Sequence, residues 1–172
     1  MSAASPGRRR ELARALALAG FGFAAVLLEA APAGVAALSL PSPDLLFCVV
    51  AVWAIRSPGA APLVLVFALG LLRDLVTDVP PGLGALTLVG AAEALKARAG
   101  ALRRQPFVVE WLWVALACAA MTALQWLGLL VSFAQPPYGM LLAQQVTVTA
   151  AVYPLFVLLA GRALSPRDRR GA

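Results

Sequence analysis

Residues 107–131 read FVVEWLWVALACAAMTALQWLGLLV, a long and almost uninterrupted apolar stretch. An α-helix rises about 1.5 Å per residue, so a helix of this length crosses the ~30 Å hydrocarbon core of a bilayer. Trp111 and Trp113 lie near its start, where aromatic side chains anchor spanning helices at the membrane interface. The stretch therefore predicts a transmembrane helix.

Apolar runs of similar character fill most of the remaining chain. Of the 172 residues, 62% are hydrophobic and 13% are charged, whereas soluble domains are about 45–50% apolar and about 25% charged. We therefore expect an all-α integral membrane protein that forms one domain over residues 1–172. It is a bundle of about six transmembrane helices, with spans at about 12–31, 38–56, 62–78, 82–97, 107–131 and 141–163.

The second of these runs is short for a full span. Its clearly apolar part lies between Asp44, the expected N-cap, and Ile55. The run either takes in residues 35–40 or forms a tilted or broken helix.

The basic residues predict the orientation of the bundle. With the N-terminus inside, each of the 14 basic residues except Arg73 falls in or beside a cytoplasmic segment. The positive-inside rule then predicts that both termini are cytoplasmic. Residues 31–33 have the A-x-A form of a signal-peptide cleavage site, but the preceding run is long and Glu29 lies near its end. Both features favour a retained first helix.

The composition excludes several kinds of chemistry. The chain has no histidine, which removes Ser-His-Asp triads, His-ligated haem and the common zinc sites. Cys48 and Cys118 lie in apolar runs without neighbouring ligand residues, so we expect them to pack as small apolar side chains. The net charge of +6 comes from short runs between apolar blocks, which does not predict nucleic-acid binding. We expect no enzymatic activity, no cofactor and no metal.

A few charged residues lie inside the predicted spans, where each costs about 2.5–3.5 kcal/mol and therefore needs a partner. Asp74 shares a helix face with Gly70, so we expect this face to pack against another helix, in this chain or on a partner protein. Arg73 is expected to extend toward Glu29 and to neutralise it. A polar binding site or a proton path is the alternative. An intramembrane aspartic protease built on Asp74 and Asp78 is disfavoured, because both lie on one helix.

Two segments resemble the rod shape-determining protein MreD family. The first reads PDLL at 43–46 and WAIRSP at 53–58, and it is similar to that family's P-D-L…Y-W-A-L-R-R-P stretch. The second reads GLLRD at 70–74 and PPGLGAL at 80–86, and it is similar to G-L-x-x-D…P-x-G-x-x-A-L. Arg73 stands where the family usually carries an apolar residue. The matching motif positions include Pro43, Asp44, Trp53, Pro58, Pro80 and Gly82.

The resemblance implies a non-enzymatic scaffold in the bacterial inner membrane. In that family the protein sits beside MreC and helps to couple the MreB filament to a RodA-type glycosyltransferase and its transpeptidase partner during lateral cell-wall elongation. The family's helical core is also similar to the substrate-binding subunits of vitamin transporters. The alternative function is therefore a small-molecule binding subunit of a membrane transporter, which would need a cavity with convergent polar and aromatic groups.

Overall fold

The computed structural model describes residues 6–30, 43–77, 80–131 and 139–164. As the apolar runs predict, these residues form six α-helices, which are joined in one place by a short 3₁₀ turn at Pro58–Ala60. The helices are α1 (Pro6–Ala30), α2 (Leu45–Arg56), α3 (Leu63–Val76), α4 (Leu83–Leu102), α5 (Phe107–Val131) and α6 (Gly139–Leu164).

Three of these helices are long and apolar enough to cross a membrane, over Gly7–Ala30, Phe107–Val131 and Met140–Ala160. Large apolar side chains cover their outer faces. Leu16 on α1 is 73% exposed, Leu116 on α5 is 58% exposed and Leu158 on α6 is 69% exposed. Extensive exposed apolar surface is rare on soluble monomers and is expected where a protein faces lipid. These helices indicate a membrane protein.

Two helices differ from the predicted spans. α2 has only 12 residues and begins at Leu45, and its predicted extension over residues 38–42 lies outside the described residues. α4 continues to Leu102, five residues beyond the predicted span of 82–97, and so contains Arg98. Ala, Lys and Arg are strong helix formers, so the helix continues after the apolar run has ended.

The short helix α2 lies at the centre of the bundle. All ten residues from Leu46 to Ile55 are buried, and α1, α4 and α6 pack around them. A helix that is apolar on every face needs such surroundings. Asp44 before its first residue and Ser57 after its last are also buried, so both ends of α2 lie inside the bundle.

Helices that follow one another in the chain run in opposite directions. In the C-terminal half of α2, Trp53 donates its Nε1–H to the carbonyl of Arg14 on α1 at 3.0 Å. At the other end of the same pair, Glu29 accepts a hydrogen bond from the Leu46 amide at 2.9 Å. The bundle thus has a Glu29 end, where α1, α3 and α5 finish and α2, α4 and α6 begin, and an opposite end that we call the Glu110 end. The basic-residue pattern predicts that the Glu29 end faces the outer side of the membrane.

Candidate functional site

Helices α3 and α4 approach each other closely at two glycines. A Cβ atom built on Gly70 would lie 2.7 Å from the Cα of Ala85, a backbone atom that cannot move aside cheaply. A Cβ atom built on Gly84 would overlap the Oδ1 atom of Asp74. Glycine is therefore needed on each helix for this contact, and the contact brings the end of α3 to the start of α4.

Asp74 joins the two helices at this contact. The side chain is buried, and its Oδ2 atom accepts hydrogen bonds from the backbone amides of Gly82 and Ala85, both at 3.0 Å. These amides belong to the first turn of α4, where backbone N–H groups lack helical partners and the helix dipole favours a negative charge. The face that carries Gly70 and Asp74 thus packs within this chain. Asp78, the second member of the disfavoured protease pair, lies outside the described residues.

The N-terminus of α2 is held in a similar way by two carboxylates. Asp44 Oδ1 accepts a hydrogen bond from the Phe47 amide at 2.8 Å, which is the predicted N-cap. Glu29 Oε1 accepts from the Leu46 amide at 2.9 Å. The backbone amide of Asp44 in turn donates to Thr149 Oγ1 at 3.0 Å, so α6 is tied to the same point.

Arg73 pairs with a different residue from the one we expected. Its Nη1 atom donates to Asp44 Oδ2 at 2.7 Å, and this ion pair is buried. Glu29 is instead bonded to the first turn of α2, and among the described residues it forms no ion pair. The difference arises because the short α2 brings its N-cap to the membrane depth of Arg73, a relation that hydropathy does not contain.

A cavity of about 250 Å³ opens beside these groups at the Glu29 end. Its lining comes from five helices or their ends, and most of the lining side chains are polar. The lining residues are Glu29, Pro43, Asp44, Arg73, Thr77, Thr122, Gln125, Trp126, Leu129, Leu142 and Gln145. The Nε1–H of Trp126 is buried and has no hydrogen-bond partner within the described part of the chain. Gln125 is held at one side by a hydrogen bond from its Nε2 atom to Thr87 Oγ1 at 3.0 Å.

A second polar cluster lies at the Glu110 end, and the sequence reasoning missed it. The carboxylate of Glu110 is buried and accepts hydrogen bonds from Arg56 Nη2 on both oxygens at 2.9 Å, and from the Tyr153 hydroxyl at 2.9 Å. The cluster ties α2, α5 and α6 together. The available signal was one acidic residue inside the apolar stretch 107–131, with an arginine and a tyrosine in other helices to satisfy it.

The remaining motif residues support the ends of helices. The indole of Trp53 binds α1 near the Glu110 end, and Pro58 begins the 3₁₀ turn after α2. Gly82 precedes α4 with a φ of 98°, a left-handed conformation that glycine adopts without strain. The amide of Leu83 donates to the Pro80 carbonyl at 3.2 Å, which closes the turn before α4.

The described ranges contain no group of three or more His, Cys, Asp or Glu residues that could hold a metal ion. Cys48 and Cys118 are buried free thiols, consistent with their expected packing role. Comparison of the chain with protein-family models, with curated proteins and with solved structures finds no match.

Proposed function

We propose that this chain is a non-enzymatic scaffold subunit of the bacterial machinery for lateral cell-wall elongation, of the kind that the MreD family provides. The observation that supports this proposal most directly is the structural role of the residues that carry the family resemblance. Asp44 and Asp74 each hold the first turn of a helix, and Gly70 allows two helices to touch. Residues with these contacts build a rigid bundle and do not present a reactive group to a substrate.

The surface of the bundle fits an assembly role within the membrane. Exposed apolar side chains cover α1, α5 and α6. Another membrane protein can therefore pack against these helices without burying polar groups that lack partners. The partner proposed for this surface is an MreC-like membrane protein, and through it the MreB filament, the RodA-type glycosyltransferase and the transpeptidase.

The proposed location is the bacterial inner membrane, with both termini in the cytoplasm. Basic residues gather at the Glu110 end of the bundle, and several of them bind neighbouring helices. Arg103 donates from Nε to the Ile55 carbonyl at 2.6 Å, and Lys96 donates from Nζ to the Ala61 carbonyl at 2.5 Å. The guanidinium of Arg98 lies 4.4 Å from the ring centre of Trp113. This distribution supports placing the Glu110 end in the cytoplasm.

A vitamin-binding transporter subunit is the rival function, and the cavity at the Glu29 end is the feature that favours it. Its volume of about 250 Å³ is below the range of roughly 300–1,000 Å³ that is usual for sites of drug-sized ligands. Among the described lining residues, Trp126 is the single aromatic side chain available for stacking. Both features favour the scaffold over a vitamin carrier.

The test is affinity purification of the tagged full-length chain from bacterial membranes in mild detergent. We expect an MreC-like protein to co-elute and depletion of the chain to convert rod-shaped cells to rounded ones. Recovery of an ATPase transporter module without any wall-elongation protein would overturn the proposal. Untagged membranes control for nonspecific recovery, and a Gly70→Leu variant, which separates α3 from α4, should reduce partner recovery relative to Gly90→Leu, whose site on α4 is open.

A further inference from the structure

We propose that the cavity at the Glu29 end binds a small primary ammonium group, supplied either by a free amine or by an ethanolamine-type lipid headgroup. The scaffold function neither requires nor explains such a site, so the two proposals stand or fall separately. The inference depends on the charge around the cavity and on the polar groups that line it.

The charges around the cavity do not balance. Three carboxylates, those of Glu29, Asp44 and Asp74, gather near one guanidinium, that of Arg73. The N-termini of α2 and α4 together contribute about one further positive charge, because a helix N-terminus carries roughly +0.5. The cluster therefore contains one more acidic group than these positive charges balance, and at membrane depth that group is neutralised by a proton or by a cation. A bound cation would supply the missing positive charge.

Glu29 is the carboxylate that has room for this cation. Asp44 is paired with Arg73, and Asp74 is turned toward α4 and does not line the cavity. Glu29 lines the cavity and has no ion-pair partner within the described residues. Thr77, which also lines the cavity, is exposed.

The neutral groups of the lining fit a primary ammonium with an oxygen atom close by. An ammonium has three N–H donors, and Thr122, Gln125 and Gln145, whose side chains each carry an oxygen acceptor, line the cavity together with Glu29. The unpartnered Nε1–H of Trp126 needs an acceptor. The hydroxyl oxygen of ethanolamine, or the ester oxygen of an ethanolamine headgroup, lies two carbons from the nitrogen and can serve as that acceptor.

The donor count disfavours a quaternary ammonium. A trimethylammonium group donates no hydrogen bond through N–H, so it cannot use the acceptors among the cavity-lining residues as a primary ammonium can. Ethanolamine and choline therefore form a matched pair of probes that carry the same charge and the same hydroxyl.

The experiment measures thermal stability and calorimetric binding of the purified full-length chain in mild detergent with ethanolamine hydrochloride, choline chloride or sodium chloride at equal ionic strength. We expect ethanolamine to raise the melting temperature and to bind at least about tenfold more tightly than choline. Glu29→Gln, which keeps the acceptor for the Leu46 amide but removes the charge, should weaken ethanolamine binding by about tenfold or more. Glu93→Gln is the control, because Glu93 is exposed and far from the cavity lining.

A second arm identifies the source of the ammonium. The chain is reconstituted in vesicles of phosphatidylethanolamine with phosphatidylglycerol, or of phosphatidylcholine with phosphatidylglycerol, re-extracted, and analysed for retained lipid by native mass spectrometry. If phosphatidylethanolamine is retained, and if Trp126→Phe and Glu29→Gln both reduce its retention, the site binds a lipid headgroup. Binding of free ethanolamine without retained lipid assigns the site to a soluble amine.

Equal responses to all three salts together with no selective lipid retention would overturn the proposal. If Glu29→Gln does not fold, the wild-type comparison of ethanolamine with choline decides the question alone.

Discussion

Replacing Asp74 tests the contact between α3 and α4 most directly. Its Oδ2 atom accepts two backbone N–H groups at 3.0 Å, from Gly82 and Ala85, in a site where water has little access. Asp74→Leu removes both acceptors and leaves two amides at the start of α4 without partners. Asp74→Asn keeps an amide oxygen in nearly the same place but removes the charge.

The expected loss follows from these two hydrogen bonds. Each buried donor left without a partner costs about 1–3 kcal/mol. The loss of an N-terminal cap costs about 0.5–2 kcal/mol, and the two costs are not added because both describe the same amides losing their acceptor. Removing a carboxylate from a cluster with excess negative charge offsets some of this cost. We therefore expect Asp74→Leu to destabilise the fold by about 2–3 kcal/mol and Asp74→Asn by about 1 kcal/mol, because hydrogen bonds between membrane helices average only ~0.6 kcal/mol.

The assay is thermal unfolding of the purified chain in one detergent at one scan rate. For a chain of this size about 1 kcal/mol shifts the melting temperature by roughly 2–4 °C, so Asp74→Leu should melt roughly 5–10 °C below wild type. Glu93→Leu is the matched control, because Glu93 is an exposed acid whose pairing with Lys96 contributes little. Wild-type melting by Asp74→Leu would mean that this carboxylate faces lipid or water, and the packing argument would then fail.

Three further predictions use other parts of the bundle. Gly70→Leu should destabilise the fold by about 3 kcal/mol or more, since its Cβ meets backbone, whereas Gly20→Leu, with open space around it, should melt within a few degrees of wild type; equal melting of the two variants would contradict the close approach. Tyr153→Phe should cost about 1–2 kcal/mol in the same assay, because it removes a hydrogen bond to the buried Glu110, and an unchanged melting temperature would show that this contact is absent. A reporter fused after Arg104 should read cytoplasmic, and a periplasmic reading would overturn the predicted orientation.

The apolar pattern was sufficient to predict the helices, because each run is strongly apolar and is bounded by Pro, Gly or charged residues. It also predicted the local contacts that depend on spacing along one helix. Asp44 caps the helix that follows it, and Gly70 lies on the same face as Asp74 because they are four residues apart. These relations are short-range, so sequence alone contains them.

Contacts between distant helices could not be predicted in the same way. Arg73 lies 29 residues from Asp44, and Glu110 lies 54 residues from Arg56 and 43 from Tyr153. Which of several charged groups meet depends on the depth of each helix in the bundle, and hydropathy determines depth only to within a turn or two. The predicted pairing of Arg73 with Glu29 was wrong for this reason. Asp44 and Glu29 both lie within reach of Arg73, and the position of α2 determines that Asp44 is the partner.

The polar cluster at the Glu29 end follows from the length of α2. Twelve residues span only about 18 Å, less than the ~30 Å of a bilayer core, and the buried Asp44 directly precedes the first of them. The N-terminus of α2 therefore lies inside the protein, where its free N–H groups need acceptors. Glu29 and Asp44 supply these acceptors. Carboxylates at this depth require positive charge, and Arg73 supplies only part of it. The short central helix thus places Asp44 inside the bundle, where it pairs with Arg73 beside the cavity that Glu29 also lines.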